Sequence, residues 1–189
     1  MGMFGNGNDL MSDSRFRLMA FFFSIRDRIA PHDWKIDQFG LRKGDIVVDF
    51  GCGTGSCLNK AAEAVGERGT VFAVDIHDLA VDAAKRVSRK HRPGNIRPVK
   101  ACGFSSQLPD SVADCVYALD MFHMVSDADR FLGELRRIIK SDGRLFLEDG
   151  HQPRSKAKEK VMSSRLWRII DETRDWMVCV PSNGPGLNA

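Results

Sequence analysis

The sequence contains no apolar run long enough to cross a membrane. The longest such run, Leu18 to Phe23, is far short of the roughly 20 residues that a bilayer-spanning helix requires. The first residues, MGMFGNGND, contain neither a basic region nor a long apolar stretch. We therefore expect neither a transmembrane segment nor a signal peptide.

The cysteines form neither a C-x-x-C pair nor a pairing with histidine at zinc-binding spacing. Their odd number also fits no disulfide framework. They are Cys52, Cys57, Cys102, Cys115 and Cys179. This pattern indicates reduced thiols and predicts a cytoplasmic protein, with no metal site.

A strong charge of either sign is also missing. The net charge is +3, from 28 basic and 25 acidic residues, and is too small to indicate nucleic acid as a partner. The 189 residues, 43% apolar and 28% charged, fit one globular domain with a full core. Nothing in the composition predicts an oligomeric state.

What the sequence does contain is a glycine-rich stretch, VVDFGCGTG, at residues 47–55. Val47 and Val48 are typical of the end of a buried strand, and Asp49 follows at its tip. The three glycines then allow a tight loop that a ligand can approach closely. A helical apolar pattern follows at residues 58–65, so the stretch predicts the strand, loop and helix that open a doubly wound α/β sheet.

The glycine spacing distinguishes between cofactors. A dinucleotide fingerprint would place its third glycine at position 56, but this residue is Ser56. Twenty residues beyond Gly55, Asp75 ends the next apolar run, TVFAVD. An acid at this point can bond both ribose hydroxyls, so the two signals together favour a nucleoside cofactor over a purely structural turn.

The G-x-G-x-G spacing, with an acid two residues before the first glycine, resembles motif I of the class I S-adenosylmethionine-dependent methyltransferases. Residues 108–149, LPDSVADCVYALDMFHMVSDADRFLGELRRIIKSDGRLFLED, look like the corresponding region of the ubiquinone and menaquinone biosynthesis methyltransferases. The resemblance covers roughly residues 46–149. It implies S-adenosylmethionine as cofactor and a Rossmann-like, mostly parallel seven-stranded sheet with a C-terminal antiparallel hairpin.

Alternating strands and helices agree with this α/β class. The predicted strands cover 46–50, 70–75, 96–100, 114–119, 144–148, 166–172 and 176–180. We expect one helix capped by Asp78, a second that begins with a capping box opened by Ser126, and a third over residues 154–163. One helix from 154 to 172 is the alternative for the C-terminal third.

We expect a single methyltransferase domain over residues 1–189, with residues 1–11 and 181–189 flexible and residues 12–43 forming an N-terminal helical cap. The apolar residues of Phe16–Ile25 fall in two stripes, more than one core-facing side requires. A lid over the acceptor pocket, packing on the sheet, and a position on a membrane surface remain alternatives for this segment.

The resemblance also implies which residues hold the cofactor. Gly51 and the backbone around Leu119 would bind its amino acid, Asp75 the ribose, and Ile76 would pack on the adenine. The full set is Asp49, Gly51, Cys52, Gly53, Gly55, Asp75, Ile76, Gly103, Phe104 and Leu119.

One position departs from the family pattern. Many relatives carry an acid that bonds the adenine amino group, where this chain has Gly103-Phe104 before Leu108-Pro109. Phe104 can pack on the purine but accepts no hydrogen bond from it. Adenine selectivity is then expected to rest on backbone groups or on the serines at 105–106.

The expected reaction is attack by a nucleophile on the sulfonium methyl group, for which the protein mainly supplies alignment and a dry pocket. A base is needed only if the acceptor arrives protonated. The catalytic candidates are Asp120, His123 and His151, with Asp149 a further possibility. Either histidine alone could instead be a surface or capping residue.

The function predicted is methyl transfer to a small or apolar molecule. Because the sequence has no Asn/Asp-Pro-Pro-Tyr/Phe stretch, methylation of a base amino group is not expected. One alternative is a module that binds S-adenosylmethionine without transfer. The other is a protein or RNA methyltransferase that docks through its basic C-terminal helix, with Lys156, Lys158, Lys160, Arg165 and Arg168.

Overall fold

A computed structural model describes residues 12–14, 17–18, 33–91 and 94–182 of the chain. Each run of β-branched and apolar residues that the sequence assigned to a strand lies in one sheet. The strands are β1 (Ile46–Phe50), β2 (Thr70–Asp75), β3 (Ile96–Lys100), β4 (Ala113–Ala118), β5 (Ile139–Glu148), β6 (Trp167–Glu172) and β7 (Trp176–Pro181). The helices are α1 (Trp34–Gln38), α2 (Leu58–Val65), α3 (Asp78–Lys90), α4 (Ala128–Ile138) and α5 (Arg154–Ser163).

The seven strands lie in the order β3-β2-β1-β4-β5-β7-β6. β1 pairs in parallel with both β2 and β4. The strand order therefore reverses between β1 and β4: β2 and β3 are added on one side of β1, and β4 and β5 on the other. β7 is antiparallel to both of its neighbours, β5 and β6. The predicted doubly wound sheet with a C-terminal antiparallel hairpin is therefore confirmed. Ligands of such sheets bind beyond the carboxyl ends of the strands at the reversal point.

Apolar side chains cover both faces of the sheet, as a buried parallel sheet requires. Val48 and Phe50 of β1 pack in one cluster with the apolar stripe of α4 and with α5. Val47, which points the opposite way, packs in a second cluster with α1 and α2. The sheet is thus packed on both faces, and this packing fixes the positions of the carboxyl ends of its parallel strands.

Several predicted boundaries need correction. β5 begins at Ile139 rather than at residue 144, because residues 141–143 form an irregularity within the strand rather than a turn before it. A Cβ on Gly143 would lie 2.6 Å from Cγ1 of Ile139, so the bulge requires glycine. α5 ends at Ser163, which rules out the single helix from 154 to 172.

The two predicted helix caps are also wrong by one residue. The ring of His77, rather than Asp78, accepts a hydrogen bond from the Leu79 amide at 3.2 Å. The carboxylate of Asp127, rather than Ser126, accepts one from the Arg130 amide at 3.0 Å. In both cases a neighbouring side chain with an acceptor satisfies the exposed amides of the first turn.

The predicted N-terminal cap is described only in part. Residues 13–14 and 17–18 are helical, and α1 provides a second helical piece. Most of Phe16–Ile25, on which the lid hypothesis depends, lies outside the described residues, as do residues 1–11 and 183–189. Among the helices that the structure describes, none has the length and hydropathy to cross a membrane.

Phe39, directly after α1, fixes this cap to the sheet. Its ring stacks on Phe146 with centroids 4.1 Å apart, and lies 5.6 Å from the ring of Tyr117. It also meets Trp176 edge-on at 5.4 Å. Three strands, β4, β5 and β7, therefore share one buried aromatic contact with the N-terminal region.

We predict that Phe39→Ala lowers the free energy of unfolding by about 3–5 kcal/mol, the usual loss for a fully buried ring. Phe39 is 0% exposed, whereas Trp34 on the same segment is 46% exposed. Trp34→Ala is the matched control and should lower it by about 1 kcal/mol. Urea denaturation measures both, and equal losses would contradict the anchoring role of Phe39.

Candidate active site

The glycine loop after β1 is tied to the neighbouring strand β2. The amides of Gly51 and Cys52 both donate to the carbonyl of Val74, at 2.8 and 3.1 Å. Gly51 has a φ of +86°, and a Cβ there would lie 3.1 Å from Cγ of Met121. Both facts demand glycine at this position, where the loop turns tightly at the carboxyl end of β1.

Asp75 at the end of β2 is bonded to this loop. Its Oδ2 accepts a hydrogen bond from the Gly53 amide at 2.9 Å, and its Oδ1 accepts one from the His77 amide at 2.8 Å. The side chain is buried, and burial raises the pKa of Asp75 above its usual value. Each carboxylate oxygen has a further lone pair with which to accept a hydroxyl proton.

Asp49, at the end of β1, is also buried. Burial raises the pKa of its carboxyl from 3.8 to about 8; the Tyr117 hydroxyl opposes this shift, and the negative charge of Asp75 adds to it. At neutral pH the carboxyl is therefore mostly protonated. This agrees with a part in shaping the loop rather than in accepting a proton from an acceptor.

A cleft of about 70 Å³ opens beside the loop, between the ends of β1, β4 and β5. Its walls combine the backbone of the loop with three acids and two thiols. They are Asp49, Gly51, Cys52, Gly53, Thr54, Ser56, Cys57, Leu119, Asp120 and Glu148. Five of the expected cofactor residues thus border one cleft: Asp49, Gly51, Cys52, Gly53 and Leu119.

Sequence reasoning missed an ion pair at this cleft. Glu148, the last residue of β5, accepts a hydrogen bond from the Lys35 ammonium group at 2.8 Å and one from the Asp120 amide at 3.0 Å. The side chain of Lys35 is only 4% exposed. The two charges are 113 positions apart in the sequence, so no local signal connects them.

On the other side of the loop, Ile76 is 5% exposed. Phe104 packs against the core, and Gly103 before it has a φ of +58°. Ser106 is buried, and its hydroxyl donates to Glu134 at 2.6 Å. The hydroxyl of Ser106 is therefore already committed to the protein. Of the two serines considered for adenine selectivity, Ser105 is the exposed one.

The three catalytic candidates come together beside the cleft. Asp120 and His123 follow β4, His151 follows β5, and one donor atom from each lies within 4.8 Å of the other two. Nε2 of His151 is 3.8 Å from Oδ1 of Asp120. The two imidazole rings meet at a centroid distance of 4.9 Å and an angle of 74°.

His123 is the more enclosed of the two histidines. Its Nδ1 is shielded from solvent and has no hydrogen-bond partner among the described residues. Burial lowers the pKa of His123, although the charge of Asp120 opposes this. Asp149, the further candidate, is engaged by the Arg154 guanidinium group, which also donates to the carbonyl of Thr173.

Two described positions of the N-terminal segment lie near the site. Oδ1 of Asp13 is 3.7 Å from Nε2 of His77. Arg17 borders a cavity of about 540 Å³ that also includes Thr54 of the glycine loop and Leu79 of α3. At these positions the segment therefore approaches the side of the loop on which Asp75 lies.

Comparison with known proteins agrees with this geometry. A family model described as a methyltransferase domain matches residues 48–147. A ubiquinone/menaquinone biosynthesis C-methyltransferase from Marinomonas sp. is 28% identical over 86% of this chain and 61% of its own length. The enzyme of the same name from Francisella tularensis subsp. holarctica is 33% identical over 72% of this chain and 56% of its own length.

Among solved structures, an S-adenosylmethionine-dependent methyltransferase from Aquifex aeolicus superposes with a TM-score of 0.74 at 23% identity. The match covers 90% of this chain and 97% of that protein. At this identity the likeness shows the fold. The chain spans less than two thirds of the length of the two curated relatives.

The raised pKa of Asp49 makes a prediction about stability. A carboxyl whose pKa rises on folding stabilises the folded state fully below its unfolded pKa, and this contribution is lost as the pH rises through the folded value. Between pH 5 and pH 8, the free energy of unfolding of the wild type should therefore fall relative to that of Asp49→Asn. The slope should be about 1.4 kcal/mol per pH unit.

Asparagine has the shape of the protonated carboxyl but does not titrate, so it is a matched replacement. Denaturant melts of both proteins at several pH values, without ligand, measure the difference. A difference that stays constant over this range would mean that Asp49 ionises normally in the folded protein.

Proposed function

The chain belongs to the methyltransferase-domain family, whose cofactor is S-adenosylmethionine, and on this premise we propose that it transfers a methyl group to a small, partly apolar acceptor. The observation that carries the cofactor part is the bond between the Gly53 amide and the Asp75 carboxylate. It joins the glycine loop to the acid that we propose binds the ribose, and so supports a nucleoside site beside the loop.

In this proposal the amino-acid end of the cofactor lies in the cleft, held by the backbone of Gly51 and Leu119. The cleft of about 70 Å³ is too small for a whole cofactor, since ligand pockets usually measure roughly 300–1,000 Å³. The ribose would lie over Asp75 and the adenine between Ile76 and Phe104. Cys52, Gly53 and Gly55 supply the turn, and Gly103 supplies the close approach to the base.

The chemistry requires little from the protein beyond position. The acceptor's electron pair forms the new bond to the methyl carbon while the carbon–sulfur bond breaks, and sulfur keeps those electrons as a neutral thioether. Asp120, His123 and His151 lie beside the cleft and are proposed to face the acceptor. They would receive its proton when the acceptor arrives protonated.

A small acceptor is supported by two observations. The relatives named above carry names of C-methyltransferases in quinone biosynthesis. In the alternative hypothesis the basic helix α5 is the docking surface, but two of its lysines contact other parts of this protein. Lys158 pairs with Glu172 at 2.6 Å, and the Lys160 ammonium group lies 4.9 Å from the ring centre of Phe122. Paired cations are less available to an extended anionic partner.

The proposal treats residues 1–189 as one domain with residues 12–43 as its cap. The contact of Asp13 with His77 and the position of Arg17 near the loop support a cap beside the cofactor. The lid role of Phe16–Ile25 stays a prediction, and so does an apolar wall for the acceptor.

We predict that the protein binds S-adenosylmethionine and its demethylated product more tightly than NAD. Asp75→Ala should weaken that binding by about ten- to a hundredfold, because hydrogen bonds to a charged acceptor contribute about 1.5–3 kcal/mol. Asp78→Ala is the control, since its carboxylate is 84% exposed and pairs with Lys100. Calorimetry with each ligand measures the constants.

An unchanged dissociation constant in Asp75→Ala would place the ribose elsewhere, and tighter binding of NAD would overturn the cofactor assignment. Transfer is tested with radiolabelled S-adenosylmethionine and a panel of phenols, quinols and polynucleotides. Label on a small aromatic acceptor supports the proposal. Label on polynucleotide, with binding that weakens steeply in salt, would favour the alternative. Cofactor binding without label on any acceptor would favour the non-catalytic module.

A further inference from the structure

The cluster of Asp120, His123 and His151 has the composition of a metal centre. We propose that these three side chains bind one divalent metal ion such as Zn²⁺, Co²⁺ or Fe²⁺. Two imidazoles and one carboxylate are donors that Zn²⁺, Co²⁺ and Fe²⁺ accept, and three protein ligands leave coordination positions open. The sequence predicts no metal site, because the ligands come from two loops that only the pairing of β4 with β5 brings together.

The distances are compatible with closure around an ion. One donor atom from each residue lies within 4.8 Å of the other two. Around an ion with bonds of about 2.1 Å, donors are roughly 3–3.5 Å apart, so the side chains must move inward by about 1 Å. The side chain of His151 is 81% exposed and can make this movement by rotation about its own bonds.

The backbone on both sides of the cluster has an unusual conformation. Asp120 has a φ of +51°, which is uncommon for a residue with a side chain. Its amide is held by Glu148. Gly150 has a φ of +66°, and a Cβ there would lie 2.0 Å from Nδ1 of His123. Glycine at 150 is therefore required for His123 to occupy its place beside His151.

His123 also has an atom without a partner. Its Nδ1 is shielded from solvent, and no described residue bonds to it. A buried polar atom without a partner costs about 1–3 kcal/mol. Coordination of an ion fixes the ring and determines which nitrogen carries the proton. Neither the contact of His151 with Asp120 nor the contact between the two rings provides Nδ1 of His123 with a hydrogen bond.

The proposed site adjoins the place where the acceptor is expected, and this role rests on the proposed function. An ion with open positions would take an oxygen of the acceptor as a ligand and lower the pKa of its hydroxyl. The hydroxyl would then lose its proton to solvent water before methyl transfer, and with the ion bound the three side chains would serve as ligands in place of the base role described above. Under this proposal the methyl acceptor is a molecule that carries a hydroxyl or enol oxygen beside the atom that is methylated.

The experiment is a titration of chelator-treated, metal-free protein with Co²⁺, without cofactor or acceptor. Visible d–d absorption should appear and saturate at one ion per chain, and Zn²⁺ should displace it. His123→Ala and His151→Ala should each weaken Co²⁺ binding at least about tenfold. His77→Asn, which can still cap α3, is the histidine control and should bind as the wild type does.

Cys102→Ser is a second control, because this exposed thiol is a competing ligand for cobalt. The proposal is overturned if no d–d absorption appears, or if both histidine variants bind as tightly as the wild type. A fall in binding only in Cys102→Ser would overturn it as well. If His123→Ala fails to fold, the exposed His151 still gives a decisive variant. The titration contains no cofactor, so an absence of cobalt binding would not contradict binding of S-adenosylmethionine. Equally, a protein that failed to bind S-adenosylmethionine in calorimetry could still bind cobalt at this site.

Discussion

The site depends on one buried carboxylate, that of Asp75. Burying a charged group is unfavourable unless its oxygens find donors, and here both donors are backbone amides, of Gly53 in the glycine loop and His77 before α3. A single side chain therefore fixes the end of β2, the loop after β1 and the start of a helix relative to one another. The loop can have this conformation because its glycines accept positive φ values.

A second carboxylate, that of Glu148, does the same on the other side of the reversal point. It connects Lys35 of α1, the Asp120 amide after β4 and the end of β5. The pair is largely shielded from water, so removal of one partner would leave the other charge poorly solvated. The position of Asp120, and with it the cluster that includes both histidines, follows from this arrangement. Two separate acids, Asp75 and Glu148, thus organise the sides on which we propose that the cofactor and the acceptor bind.

The sheet and the conformation of the glycine loop could be predicted because their signals are local. Apolar runs, glycine spacing and an acid at a strand end each lie within a few residues. The capping residues were wrong where two adjacent side chains both offer an acceptor, as His77 and Asp78 do, since only the fold decides which one is used. The start of β5 was missed because a bulge at residues 141–143 resembles a turn. The Lys35–Glu148 pair and the convergence of His123 with His151 arise from strand order, which no local pattern encodes.

The aromatic contact of Phe39 bears on where this domain begins and ends. The stretch matched by the family, residues 48–147, excludes Lys35 and Phe39 at one end and Trp176 at the other. Yet Phe39 and Trp176 pack in one cluster with Tyr117 and Phe146 of that stretch. Lys35 pairs with Glu148, one residue beyond its end. The matched stretch therefore omits side chains that complete its own aromatic core. A fragment cut to the matched boundaries would keep the glycine loop and Asp75 but lose Phe39, Glu148 and His151, and with them contacts that hold the ends of β4 and β5.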